Sequence, residues 1–122
     1  PATPVDALTL SAQSGEAWAQ LQIGIEYENG IGRKADLKSA AKWFLLAASQ
    51  NHADAQFSLG GMYHNGQGVE QDAQQAYYWI FRSELNGHKL AGAKLSSLSL
   101  KLSSNDVTIQ RERAIADNSD VD

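Results

Sequence analysis

One segment of the chain occurs twice, and every matched pair of residues is separated by 36 positions. The match runs through two consecutive stretches, so the repeating unit is longer than a short motif. The residues that recur are Ala19, Gln20, Gly24, Tyr27, Asn29, Gly30, Gly32, Asp36, Ala40 and Trp43, which return as Ala55, Gln56, Gly60, Tyr63, Asn65, Gly66, Gly68, Asp72, Ala76 and Trp79. A fixed period of this length predicts a solenoid, in which each unit packs only against its neighbours.

Each copy has the pattern of two helices joined by a turn. Apolar and small residues recur at spacings of three and four, as one face of an α-helix requires. Gly30 and Gly66 suit the left-handed conformation that ends a helix, and Asp36 and Asp72 can cap the next one. The predicted helices are 16–28, 36–51, 52–64 and 72–86. The chain is therefore predicted to be an all-α solenoid of antiparallel helix pairs, with six or seven helices.

The flanks align with the repeat as incomplete units. Thr3 is predicted to cap a helix with Pro4 at its first position, and Ser103 and Asp106 are predicted to form a capping box. The predicted organisation is a lead-in and half-repeat helix at 1–14, repeats at 15–51 and 52–87, a degenerate capping repeat at 88–118 and an acidic tail at 119–122.

Composition narrows the possible partners and compartments. Ten basic residues are scattered among fourteen acidic ones, so the basic surface that tracks nucleic-acid phosphates is not predicted. No apolar stretch approaches the roughly 18 residues of a membrane span, so membrane insertion is not predicted. The first residue is Pro1, which fits a trimmed chain or a mature form after signal removal. Periplasm, secretion and cytoplasm all stay open, with export favoured.

Catalytic and cofactor motifs are not predicted. The Gly-x-Gly turns lack the third glycine of a dinucleotide fingerprint and follow helices where that motif follows a strand. His52, His64 and His88 lack a second ligand at helical spacing, which favours surface or capping roles over a metal site. Glu26 and Glu28 are interpreted as a solvated helix face. We therefore predict no catalytic residue, no metal and no cofactor.

The repeated residues resemble the Sel1-like repeats, relatives of the tetratricopeptide repeat. The family pattern Ala-Gln-x-x-Leu-Gly-x-x-Tyr-x-x-Gly-x-Gly-Val, followed by Asp, Ala and Trp, covers about 15–87. Three departures stand out: Arg33 where Val69 keeps the family valine, Asn51 where glycine is usual, and Ser83 with Glu84 where two alanines are usual. The resemblance implies a right-handed superhelix with a concave face, in a family of mainly scaffolds and adaptors that are often bacterial and exported.

Packing expectations follow from the repeated small and aromatic residues. Because glycine inside a helix costs about 1 kcal/mol relative to alanine, Gly24 and Gly60 are expected where a neighbouring helix approaches closely. Trp43 and Trp79 are expected to fill the wider gaps between helices. The buried stripe of the second helix is predicted to consist of Leu37, Ala40, Ala41, Phe44, Ala47 and Ala48.

By analogy with tetratricopeptide repeats, the remaining positions of the first helix of each pair would line a concave groove. These candidate partner-binding residues are Trp18, Leu21, Ile25, Glu28, Asn29, Asp54, Phe57, Gly61, His64 and Asn65. Leu21 and Phe57 have an alternative role as core residues, and Trp18 could pack on the N-terminal half repeat.

The favoured function is a non-catalytic module that binds a protein or peptide, as an adaptor, scaffold or regulator, with a monomer favoured. The alternatives are a structural section of a longer array and, third, an enzyme such as a hydrolase.

Overall fold

The computed structural model describes residues 6–119, and within this range the chain forms helices and no strands. The helices are α1 Ala7–Gln13, α2 Ala17–Asn29, α3 Leu37–Ala48, α4 Ala53–Asn65, α5 Ala73–Leu85, α6 Ala91–Ser99 and α7 Ser104–Ser119. Helices α2 with α3 and α4 with α5 pack as pairs, which confirms the predicted all-α solenoid. The proposed Thr3 cap and residues 120–122 of the acidic tail lie outside the described residues.

The two central pairs have the same helix ends. Oδ1 of Asp36 accepts from the backbone N–H groups of Lys38 and Ser39, at 3.1 and 3.2 Å. Asp72 caps α5 in the same way. Gly30 and Gly66 end α2 and α4 in the left-handed conformation, with φ of 69° and 67°. These local interactions explain why the same turn forms at both positions.

The connections between units also repeat. Gly15, Asn51 and Gly87 lie 36 residues apart and have φ of 103°, 64° and 91°. Asn51 is the one residue other than glycine with positive φ among residues 6–119. Asparagine tolerates this conformation better than most residues, which accounts for its presence where the family has glycine.

Buried glutamines tie each unit to the one before it. Nε2 of Gln20 donates to the carbonyl of Ala12 at 3.2 Å, and Nε2 of Gln56 donates to the carbonyl of Ala48 at 3.0 Å. Each of these carbonyls lies at the end of a helix and also accepts from a turn N–H, Gly15 or Asn51, so the glutamine supplies its second donor. This explains the recurrence of a polar residue at a fully buried position.

The repeated glycines lie at close approaches between paired helices. A Cβ on Gly24 would lie 2.6 Å from the ring of Phe44, and a Cβ on Gly60 would lie 2.5 Å from Cδ1 of Ile80. Trp79 is buried, whereas Trp43 is half-buried against the smaller cluster formed by α1 and α2. Trp79 also packs edge-on against Tyr78 and under Arg82, so the two tryptophans are not equally covered.

One residue of the predicted stripe on α3 is not buried. Ala40, Ala41, Phe44, Ala47 and Ala48 are all in the core. Leu37 is 38% exposed, so its assignment to the stripe was wrong. Leu37 is the first residue of α3, and the helix becomes covered only from Ala40 onward.

The C-terminal helix packs along α5. The capping box forms as predicted: Ser103 Oγ accepts from the N–H of Asp106, and Asp106 Oδ2 accepts from the N–H of Ser103. Helix α7 then makes its main packing contacts with α5. Between α4, α6 and α7, eight consecutive residues of α5 are buried, from Ala76 to Ser83. A helix covered on all sides in this way needs apolar residues around its circumference.

Candidate partner-binding groove

The first helices of the successive units present rows of equivalent positions, 36 residues apart. We use "groove" for these rows on α2, α4 and α6. The rows are Trp18, Asp54 and Leu90; Leu21, Phe57 and Ala93; Ile25, Gly61 and Ser97; Glu28, His64 and Leu100; and Asn29, Asn65 and Lys101. On α4 the buried residues Ala55, Leu59 and Met62 lie on the opposite side of the helix.

The three apolar candidates on α2, which are Trp18, Leu21 and Ile25, are divided between surface and core. Trp18 is 53% exposed, which is unusual for a residue of its size and apolar area. Leu21 is only 8% exposed and belongs to the main core, so the structure agrees with the alternative core assignment. Ile25 is half-buried and packs against the same core. Trp18 is therefore the main apolar contact that α2 offers to a partner.

Asp54 and Phe57 on α4 are held by His88, which precedes α6. The rings of Phe57 and His88 stack at 4.1 Å with an interplanar angle of 5°. Nδ1 of His88 accepts from the N–H of Leu90 at 3.2 Å, so Nε2 carries the proton of the neutral ring. Nε2 lies 3.4 Å from Oδ1 of Asp54. Phe57 is thus half-buried and oriented, with only part of its surface open to a partner.

Gly61 leaves an open space in the centre of the groove. A Cβ built on Gly61 would have no atom within 4 Å, in contrast to the adjacent Gly60. The equivalent position on α2 is the half-buried Ile25. The space beside Gly61 could therefore admit a side chain of a bound segment without any displacement of the protein.

The end of the groove beyond Gly61 is basic. The pKa of His64 is lowered from its ordinary value first by burial, and further by the positive charges of Lys94 and Lys101. Lys101 belongs to the last row of the groove, and Lys94 lies on α6 outside the rows. Neither lysine was among the candidates predicted from the sequence, although a shift of one period from Asn65 identifies Lys101. Asn29 and Asn65 are exposed at the ends of α2 and α4, and Glu28 is partly exposed.

Two further features bear on the chemistry of the described chain. Among residues 6–119, no group of three or more histidines, aspartates and glutamates is arranged to hold a metal ion. Over the same residues, no helix is both long and apolar enough to cross a membrane. His52 uses its Nδ1 to accept from the N–H of Ala55, at 3.4 Å, and so caps α4.

The paired helices, the glycine turns and the stacked units define this protein as an α-solenoid of the helical-repeat class. A model of the Sel1 repeat matches residues 19–52 and 53–88, which together exceed half of the chain. The chain therefore belongs to the Sel1 repeat family. Sel1 repeats are generally modules for protein interaction, and proteins built from them are generally non-catalytic scaffolds.

Two solved structures have the same fold. A Sel1 repeat protein from Oxalobacter formigenes is 40% identical, with a TM-score of 0.73 over 75% of this chain and 26% of that one. A protective antigen present in uropathogenic Escherichia coli strains, with an SLR fold, is 30% identical, with a TM-score of 0.84 over 91% of this chain and 25% of that one. The chain thus spans about a quarter of each relative, and both relatives suggest a bacterial origin. The search of curated proteins found no match.

Proposed function

We propose that this chain is a non-catalytic interaction module that binds a peptide or a partner helix in the groove, in an adaptor, scaffold or regulatory role. The observation that carries the proposal is the exposure of Trp18, at 53%, on the groove side of α2. Tryptophan is enriched among the residues that contribute most of the binding free energy at interfaces. Burial of the exposed apolar area of Trp18 against a partner would be favourable.

The central part of the groove supports the proposal. The space beside Gly61 offers room for one side chain of the bound segment, and Phe57 lies one turn earlier on the same face of α4. The amides of Asn29 and Asn65 are exposed and can hydrogen-bond a peptide backbone. Leu21 is omitted from the proposed contact surface because its side chain is committed to the core.

The experiment is an affinity capture from bacterial lysate and membrane extract with the wild type and two single variants. Trp18→Asp alters the groove, while Leu10→Asp is the matched control, because Leu10 is comparably exposed, at 56%, but lies on α1. Circular dichroism would verify that both variants are folded. We expect a partner that the wild type and Leu10→Asp capture and Trp18→Asp loses.

Two results would contradict the proposal. If Trp18→Asp captures the same partner as the wild type, then Trp18 is architectural and the groove is not the working surface. If both aspartate variants lose the partner, the contact extends to α1 and is not a groove contact. The second result would favour the alternative in which Trp18 and Leu10 contact further repeats of a longer array.

A further inference from the structure

A cleft of about 250 Å³ lies between α3 and α4, on the side of α4 opposite the groove. Its walls are mainly apolar and are formed by Ala41, Leu45, Leu59, Tyr63 and Val69. Leu45 is 44% exposed at its mouth. The first and third units contain equivalent positions, and these show how such a cleft is filled.

In the first unit, an arginine of the chain fills the equivalent position. Leu45, Tyr63 and Val69 correspond to Thr9, Tyr27 and Arg33. The guanidinium group of Arg33 lies over the ring of Tyr27, 5.4 Å from its centre. Nη2 donates to Oγ1 of Thr9 at 2.7 Å, and Nε donates to Oε1 of Glu26 at 2.8 Å. Arg33, which stands where the family has valine, is thus the side chain that covers the first cleft.

In the third unit, helix α7 covers part of the equivalent position. Ala41 and Leu45 correspond to Tyr77 and Phe81 on α5. The guanidinium group of Arg111 lies over the ring of Phe81 at 4.5 Å, and its Nη1 donates to the hydroxyl of Tyr77 at 3.3 Å. Val107 of α7 lines the remaining space beside Tyr77. Helix α7 thus buries Phe81 and Tyr77, and a more polar cleft of about 300 Å³ remains beside them. Among residues 6–119, Arg33 and α7 cover the first and third equivalents of Leu45, whereas Leu45 itself stays exposed.

The chemistry of the middle cleft differs from that of the first. Glu26, which pairs with Arg33, corresponds to the buried Met62, so the carboxylate that would receive a cation is replaced by an apolar side chain. Lys38 and Lys42 line the mouth of the cleft and are exposed. The nearby Asp36 carboxylate is already committed to the N–H groups of α3 and to Ser39. The site thus disfavours a cationic guest and favours an apolar one flanked by negative charge.

We propose that the cleft between α3 and α4 is a second docking site, which takes one bulky apolar side chain flanked by carboxylates from a segment of a partner protein. The apolar side chain enters between Leu45 and Val69, where Arg33 and α7 cover the equivalent positions. The carboxylates meet Lys38 and Lys42 at the mouth. This site does not depend on the groove, because its residues lie on the other side of α4.

The test uses a synthetic nine-residue peptide with one central leucine between two pairs of glutamates. Two matched peptides replace the leucine by serine, or the glutamates by lysines. Titration of the isotopically labelled protein, followed by NMR, should show saturable shifts of the amides of Tyr63 and Val69 with the first peptide. We expect the serine and lysine peptides to bind at least about tenfold more weakly, equivalent to about 1.4 kcal/mol.

Protein variants locate the binding in the cleft. Val69→Arg places an arginine where the first unit has Arg33, and Leu45→Glu changes an exposed side chain at the mouth; each should weaken the leucine peptide at least about tenfold. Lys42→Glu should also weaken it, whereas Lys89→Glu, with the same charge change at an exposed site before α6, should not. Trp18→Asp should bind as the wild type does, so a failure of the groove proposal leaves this one intact.

The proposal is overturned by any of three results. The wild type shows no saturable shifts at millimolar peptide, or the lysine peptide binds as well as the glutamate peptide, or Leu45→Glu binds as the wild type does. Leu45→Glu keeps the test decisive if Val69→Arg disturbs the turn after α4, because Leu45 lies on the surface of α3.

Discussion

Nη2 of Arg82 lies 2.6 Å from Oδ1 of Asn51, so a nearly buried cation on α5 is bound by the turn between α3 and α4. Arg82 Nη1 also donates to the hydroxyl of Tyr78 at 3.2 Å, and that hydroxyl donates to Asp117 on α7. Asn51 Nδ2 donates to the carbonyl of Asn118 at 3.2 Å. The turn, α5 and α7 are therefore joined by one polar network, in which burial raises the pKa of Tyr78 and Asp117 raises it further.

Replacing Asn51 by glycine separates two opposing effects at this turn. Glycine adopts the left-handed conformation of Asn51 at φ 64° freely, but the gain is below the roughly 1–2 kcal/mol typical of other residues because asparagine tolerates it. The change also removes a hydrogen bond to a charged group, worth roughly 1.5–3 kcal/mol, and the bond to Asn118. We expect Asn51→Gly to lower the free energy of unfolding by about 1 kcal/mol in urea titrations.

Asn51→Ala is the companion variant, because it loses the same hydrogen bonds without the conformational gain. We expect it to be less stable than Asn51→Gly by roughly 1 kcal/mol. An Asn51→Gly protein as stable as the wild type would show that the bond to Arg82 contributes little.

The two repeated tryptophans should differ in their contribution to stability. Trp79 is 7% exposed, packs edge-on against Tyr78 and lies under the guanidinium group of Arg82, so truncation to alanine should cost roughly 3–5 kcal/mol. Trp43 is half-buried on the smaller N-terminal cluster, so Trp43→Ala should cost clearly less. Thermal and urea unfolding of both variants would test the order. Equal losses, or a melt of Trp79→Ala shifted by only a degree or two, would refute it.

The adjacent glycines of α4 should respond to alanine in opposite directions. In Gly60→Ala the new Cβ meets Cδ1 and Cγ1 of the fully buried Ile80, at 2.5 and 2.6 Å, and overpacking costs roughly 1–3 kcal/mol. In Gly61→Ala the Cβ meets nothing within 4 Å, so the gain in helix propensity, about 1 kcal/mol, is retained. Urea unfolding should therefore show a loss for the first variant and a gain for the second, and a loss for Gly61→Ala would contradict the open space.

Local and repeated signals made the helix pairs, caps and glycine turns predictable from the sequence. Asp36 and Gly30 act within a few residues of their own positions, and the second copy repeats both signals. The exposure of Leu37 and the burial of Leu21 depend on which later helix covers each residue, which periodicity does not specify. The docking of α7 on α5 and the cleft filled by Arg33 depend on contacts between distant parts of the chain, so only the structure reveals them.

The lowered pKa of His64 predicts a pH dependence of stability. Because burial, Lys94 and Lys101 disfavour the protonated ring in the folded state, the unfolded chain binds a proton at higher pH than the folded one does. The contribution of His64 to stability is therefore fully present above the unfolded pKa of about 6.5 and is lost as pH falls through that value toward the folded pKa. We expect the free energy of unfolding to fall more steeply between pH 7 and 5.5 in the wild type than in His64→Gln, measured by urea unfolding at each pH.

Lys94→Gln should raise the pKa of His64 in an NMR titration, whereas Lys34→Gln, at an exposed position in the turn before α3, should leave it unchanged. Identical pH profiles for the wild type and His64→Gln would show that neither burial nor the two lysines lowers the pKa of His64.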